Sequence, residues 1–235
     1  MTSRSKCAAQ TADYKRDKKE ESMKLVRLFA VCCAAAMLPA AMAQHWEFGV
    51  GAGPGFYTPQ DVTLGSTSAS AKFKTNVAVS TWVGENIGDR WGGELRYSYQ
   101  LGDAQLKQSS TTAVFGAETH TIDYSFLLYT KPSESTVRPF FSAGAGIKFY
   151  RGTGTEAVTQ PLSQYALLTQ AGDLTGVASV GGGVKIKLGT HAWLRLDVHD
   201  YMSPFPKQVI TPNFGANVNG WMHDIVPMVA VSFGQ

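Results

Sequence analysis

The sequence predicts an all-β chain, an eight-stranded antiparallel transmembrane up-and-down β-barrel. Three observations predict it. Eight stretches alternate between apolar and polar side chains over a membrane-spanning length, the connections between them alternate short and long, and a segment with the features of an export leader precedes them all.

The leader comes first in the chain. Met23-Lys24-Leu25-Val26-Arg27 is a basic start, Leu28 to Leu38 a mostly apolar run, and Ala41-Met42-Ala43 a small-residue cleavage site. Residues 23–43 are therefore read as a signal peptide, with Gln44 as the first mature residue. Residues 1–22 are polar and rich in Lys, Asp and Glu, and they are read as an extension upstream of the true start at Met23. A lipoprotein reading through Cys32 or Cys33 is the weaker alternative, because few apolar residues precede them and the cleavage site lies beyond.

Taking away residues 1–43 changes what composition implies. Of 21 Lys and Arg, 8 lie there, and of 18 Asp and Glu, 4 do; the remaining 13 and 14 leave a nearly neutral chain. The argument for a nucleic-acid partner goes with the basic segment. So do all three cysteines, Cys7, Cys32 and Cys33, which leaves residues 44–235 without disulfide, thiol nucleophile or thiolate metal site. Those 192 residues suffice for one domain.

The clearest strand is Trp91 to Leu101. One face carries Trp91, Leu95, Tyr97, Tyr99 and Leu101; the other carries Gly92, Glu94, Arg96, Ser98 and Gln100. Similar patterns run through Trp46 to Tyr57, Phe73 to Gly84, Glu118 to Tyr129, Pro139 to Tyr150, Thr175 to Leu188, Ala192 to Tyr201 and Trp221 to Phe233. Glycines within these stretches suit a narrow interior that admits small side chains. Short connections (Glu85 to Arg90, Lys131 to Arg138, Gly189 to His191) follow the second, fourth and sixth strands. Long ones (Thr58 to Lys72, Gly102 to Ala117, Arg151 to Leu174, Met202 to Gly220) follow the first, third, fifth and seventh. With periplasmic termini, every short turn falls inside and every long loop outside, the asymmetry of an outer-membrane barrel. Aromatics gather at strand ends. Trp46, Trp82, Trp91, Tyr129, Phe140, Phe141, Trp193 and Phe233 lie at one end; Phe56, Tyr57, Phe73, Tyr99, Phe149, Tyr150, Tyr201 and Trp221 lie at the other, as two headgroup girdles would require.

Val137-Arg138-Pro139-Phe140-Phe141-Ser142-Ala143-Gly144-Ala145-Gly146-Ile147-Lys148 and Leu194 to Tyr201 resemble the fifth and seventh strands of the small outer-membrane β-barrels of the OmpA/OmpX type. The resemblance covers Gln44 to Gln235 and implies a fold and an outer-membrane location, with no single activity. Such barrels often end on an aromatic residue, whereas here Gly234 and Gln235 follow Phe233.

The polar faces carry the candidate site. Glu94 and Arg96, then Arg195, Asp197 and His199, and Lys185 and Lys187 each share one face of a strand. Inside a barrel just wide enough for side chains, such ions need partners, so these seven residues are expected to form a structural charge network rather than a catalytic set. The pairs His199-Asp200 and His223-Asp224 could meet at the outer rim; rim hydrogen bonding is favoured there over a metal, since no His-x-x-x-His spacing occurs. Ser125, His120 and Asp123 allow a hydrolase triad only on paper. Gly181 to Gly183 and Gly51 to Gly55 lack the Lys-Ser/Thr ending of phosphate loops. No catalytic, cofactor or metal site is expected.

The favoured function is therefore a non-enzymatic surface barrel with a filled lumen, whose loops serve adhesion, environmental contact or envelope stability. A lipid-modifying enzyme would need a Ser-His-acid cluster facing lipid, a narrow pore would need an open lumen, and a soluble lipocalin-like cup would need its large apolar face turned inwards. Expected partners are outer-membrane lipid and lipopolysaccharide, the barrel-assembly machinery, and an extracellular ligand at the loops. Within the third loop, Pro161 to Leu168 is apolar enough for a short helix, an extended hairpin or a partner surface.

Overall fold

A computed structural model describes residues 46–234. The leader and the upstream extension lie outside the described residues. All regular structure within them is β. Fifteen strands run in chain order: β1 Trp46–Tyr57, β2 Gln60–Leu64, β3 Thr67–Phe73, β4 Asn76–Ile87, β5 Trp91–Leu101, β6 Ala104–Gln108, β7 Thr111–Phe115, β8 Ala117–Tyr129, β9 Val137–Gly152, β10 Ala166–Leu168, β11 Gly172–Lys187, β12 Ala192–Pro204, β13 Ile210–Pro212, β14 Ala216–Asn217 and β15 Trp221–Gly234.

Eight of them close into an antiparallel barrel in the order β1-β15-β12-β11-β9-β8-β5-β4, which is chain order around the ring. Closure pairs every strand on both sides, as a backbone in hydrocarbon demands. The two-residue period appears as alternating burial: in β8, Thr119, Thr121, Asp123 and Ser125 are buried while Ile122, Tyr124, Phe126 and Leu128 are exposed. Small residues point inwards along β1, where Gly49, Gly51, Gly53 and Gly55 alternate with Phe48, Val50, Ala52 and Pro54. Gly49 is required by close approach, because a Cβ there would stand 2.1 Å from the Trp82 ring.

The seam where the first and last barrel strands meet has one gap. Pairs run from Glu47↔Gly234 to Ala52↔Val229 and resume at Phe56↔Ile225 and Tyr57↔Asp224. In that register Pro54 stands opposite Pro227. Neither has an N–H, so two donors are missing at one point of the wall.

The four long connections are not free loops. Two of them are hairpins, β2/β3 and β6/β7, which join with β14 from the last connection in a five-stranded sheet, β14-β2-β3-β6-β7; β10 and β13 pair separately. They share an apolar core that includes Val62, Phe73, Leu106, Phe115, Leu168 and Ile210, and it reaches down to Tyr57, Tyr150 and Met222 on the barrel strands. The connections thus form a cap whose core continues into the outer end of the barrel. Pro161 to Leu168 adopts turns followed by β10, where Gln160 bonds both ways to the Leu168 backbone at 2.8 and 2.9 Å.

Two expectations need correction. The second barrel strand begins at Asn76, and Phe73 belongs to the cap strand β3, its ring 5.2 Å from Tyr57 and 5.3 Å from Tyr150. The aromatics also do not all face lipid. Trp91, Phe141, Phe233, Phe56, Phe149 and Trp221 are exposed, but Trp82, Tyr129, Phe140, Trp193, Tyr57, Phe73, Tyr150 and Tyr201 are buried. Neighbours such as Phe56-Tyr57, Phe140-Phe141 and Phe149-Tyr150 supply one ring to each side, because adjacent side chains in a strand point opposite ways.

Candidate functional site

The inward faces of β5 and β12 lie on opposite walls of the ring. Glu94 and Arg96 come from one, Arg195 and Asp197 from the other, and their side chains meet in the lumen. Arg96 Nε donates to Glu94 Oε1 at 2.8 Å and its Nη2 donates to Asp197 Oδ2 at 3.1 Å. Arg195 Nε donates to Asp197 Oδ2 at 2.6 Å, and its Nη1 donates to Glu94 Oε2. Each arginine therefore holds both carboxylates, and the four charges cancel. All four side chains are 3 % exposed or less. Both guanidinium carbons lie 4.7 Å from the Trp82 ring, and that of Arg195 lies 4.4 Å from Phe140. This adds cation–π attraction, which is stronger where water is excluded.

Further layers lie above and below this ring. Towards the periplasmic end Lys185 pairs with Glu47 beside the Trp193 and Tyr129 rings. Arg138 stacks 3.5 Å over Tyr129 and donates to Asn86 Oδ1 at 3.0 Å and to the Asp89 carbonyl at 2.8 Å. Above the ring, Asp123 Oδ2 accepts from Ser125 at 2.9 Å and from Ser179 at 3.1 Å. Near the cap Lys148 pairs with Asp224 at 2.5 Å beneath Tyr57 and Tyr150. Tyr57 Oη lies 3.0 Å from Thr119 Oγ1, and Tyr150 Oη 2.6 Å from Ser203 Oγ.

Of the seven residues singled out from the sequence, Glu94, Arg96, Arg195 and Asp197 meet directly. His199 lies beside them, its Nε2 3.6 Å from Asp197 Oδ2 and its ring stacked on Tyr201 at 5.8 Å. Lys185 is buried in the separate pair with Glu47. Lys187 departs from the expectation: two residues further along β11 it has passed the end of the lumen, and it is exposed, 5.8 Å from the Trp193 ring. The sequence did not single out Glu47, Arg138 and Lys148 as lumen ions, and Asp123 and Asp224 were weighed only for a triad and a rim pair. Their signal was available, since each occupies the polar phase of its strand.

The other candidates separate. Asp123 and Ser125 face the lumen, whereas His120 faces outwards with its Nδ1 2.8 Å from Tyr97 Oη, so no triad forms from these three. The two His-Asp dipeptides meet crosswise at the rim: His223 Nδ1 lies 2.7 Å from Asp200 Oδ2, while His199 and Asp224 point inwards. Among the described residues, no group of three or more His, Cys, Asp or Glu stands close enough to hold a metal ion.

This fold agrees with an independent match. The family model described as "Outer membrane protein beta-barrel domain" aligns with residues 28–219. The chain belongs to that family. Its location is accordingly the bacterial outer membrane. Solved structures similar to this family member include Neisserial surface protein A (12 % identity, 80 % of this chain and 97 % of that one, TM-score 0.48). OprG from Pseudomonas aeruginosa is 14 % identical over 81 % of this chain and 96 % of its own, with TM-score 0.49. The outer membrane enzyme PagL is 13 % identical over 80 % and 99 %, with TM-score 0.39. No curated protein matches the sequence significantly.

Proposed function

We propose that this outer-membrane barrel is non-enzymatic, is plugged by its own side chains, and uses its extracellular cap for adhesion, environmental contact or envelope stability. The observation that carries the reading is double closure. A neutral ring of four buried ions spans the lumen from wall to wall, and an apolar core continuous with the cap fills the outer end. A conducting path would have to break both, and separating buried ions costs several kcal/mol each.

The cap also offers a contact feature. Phe214 is fully exposed in the turn between β13 and β14, where its N–H donates to Asn213 Oδ1 at 2.7 Å and Gly215 takes φ +81°. The ring is one part of the cap surface open to contact from outside. The lipid-enzyme alternative asks for a Ser-His-acid cluster facing lipid, and the serine and aspartate considered for it face the lumen instead.

Planar-bilayer recording tests the plug. Purified wild-type protein is expected to show no stable, ion-selective conductance. Reproducible open channels whose selectivity changes in Arg195→Met would overturn the reading in favour of a narrow pore.

A further inference from the structure

The outer wall carries a polar group that neither the lumen nor the cap uses. Register places Tyr99, His120 and Phe149 directly side by side on β5, β8 and β9, with Glu118 beside Arg151 in the row above. Tyr97 Oη lies 2.8 Å from His120 Nδ1, and Tyr99 Oη donates to Glu118 Oε2 at 2.9 Å. Glu118 Oε1 is 3.6 Å from Arg151 Nη1 and 3.7 Å from His120 Nε2. The imidazole is surrounded by Tyr99, Tyr97 and Phe149, with centroids at 5.1, 6.1 and 6.3 Å. Among the described residues, His120 Nε2 and the Arg151 guanidinium meet Glu118 only at ion-pair distance, which leaves the guanidinium with donors to spare.

Depth defines what such a group meets. From Glu118 down β8 to Leu128 is about 33 Å of strand, or roughly 25 Å along the barrel axis at a tilt of about 40°, the height of the apolar band. Between His120 and Leu128 the outward side chains are Ile122, Tyr124 and Phe126, all exposed. With the long connections outside, Glu118 and His120 therefore stand at the outer boundary of the hydrocarbon, where lipid headgroups begin.

We propose that Tyr97, Tyr99, Glu118, His120 and Arg151 form a binding site for the sugar headgroup of an outer-leaflet glycolipid. The proposal rests on the outer-membrane reading. Aromatic faces suit the C–H side of a pyranose ring, and a carboxylate beside a guanidinium accepts from one hydroxyl and donates to the next. A plain phospholipid fits less well. It has no ring to stack and fewer hydroxyls for the carboxylate and guanidinium to bind.

The test uses the folded full chain in detergent, titrated with rough lipopolysaccharide or with phosphatidylglycerol and read by native mass spectrometry. Wild type is expected to prefer the lipopolysaccharide. Tyr99→Ala with Glu118→Gln is expected to weaken its binding about tenfold or more, the factor for one lost charge-assisted hydrogen bond. Asp200→Asn with His223→Gln, on the opposite wall, should leave it unchanged. Each protein is first checked for the mobility difference between heated and unheated gel samples. If wild type lacks that difference, the barrel reading fails. A folded wild type without preference, or equal binding by the Tyr99/Glu118 variant, overturns the site alone.

Discussion

Replacing Arg195 by Met keeps most of the side-chain volume while removing one charge from the ring of four. Glu94 and Asp197 then share Arg96 as their only remaining arginine, and an excess negative charge is left in a site where each side chain is 3 % exposed or less. The Trp82 and Phe140 rings also lose a guanidinium at 4.7 and 4.4 Å. Stranding a buried ion in this way costs about 3–5 kcal/mol. Glu94→Gln in the same chain restores neutrality, because Arg96 and Asp197 remain bonded at 3.1 Å. The double variant should recover part of the loss, registering about 1–3 kcal/mol of coupling in a double-mutant cycle. Urea unfolding in lipid vesicles, followed by tryptophan fluorescence, measures all four proteins. A loss below about 1 kcal/mol for Arg195→Met, or a double variant no better than additive, would refute the claim that the ring is dry and acts as a unit.

Three further outcomes are expected. Leu95→Arg puts a cation on the lipid face at a cost of about 2–4 kcal/mol and should reduce the folded fraction recovered from vesicles, whereas Ser98→Gln on the lumen side should be limited by space alone; the reverse order would show that the inside and outside faces have been exchanged. Pro54→Ala with Pro227→Ala returns both missing N–H groups to the closing seam, and urea unfolding should show stabilisation of about 1 kcal/mol per bond formed; no gain would mean that the gap has another cause. Gly49→Ala drives a methyl group into the Trp82 ring and should destabilise by about 1–3 kcal/mol, with shifted tryptophan emission as the local sign.

Much of this molecule was legible in the chain itself. A strand has period two, so the sequence fixes which side chains share a face: Glu94 with Arg96, Arg195 with Asp197, Leu95 with Tyr97. Eight such stretches joined by alternating short and long connections lead to a closed up-and-down ring, since an unpaired edge is not tolerated in hydrocarbon. What the period cannot give is who meets whom across the lumen. Arg195 finds Glu94 at a sequence separation of 101, Lys185 finds Glu47 at 138 and Lys148 finds Asp224 at 76. Those meetings depend on strand stagger and barrel width, which are properties of the closed ring. Depth is likewise a tertiary property: Lys185 and Lys187 share a face, yet one is inside the barrel and the other beyond its end. The cap shows the limit most clearly. Its sheet pairs β14 with β2 and β3 with β6, strands contributed by three different connections. None of those short segments is stable alone, so only their shared apolar core, assembled above a finished barrel, decides that they form at all.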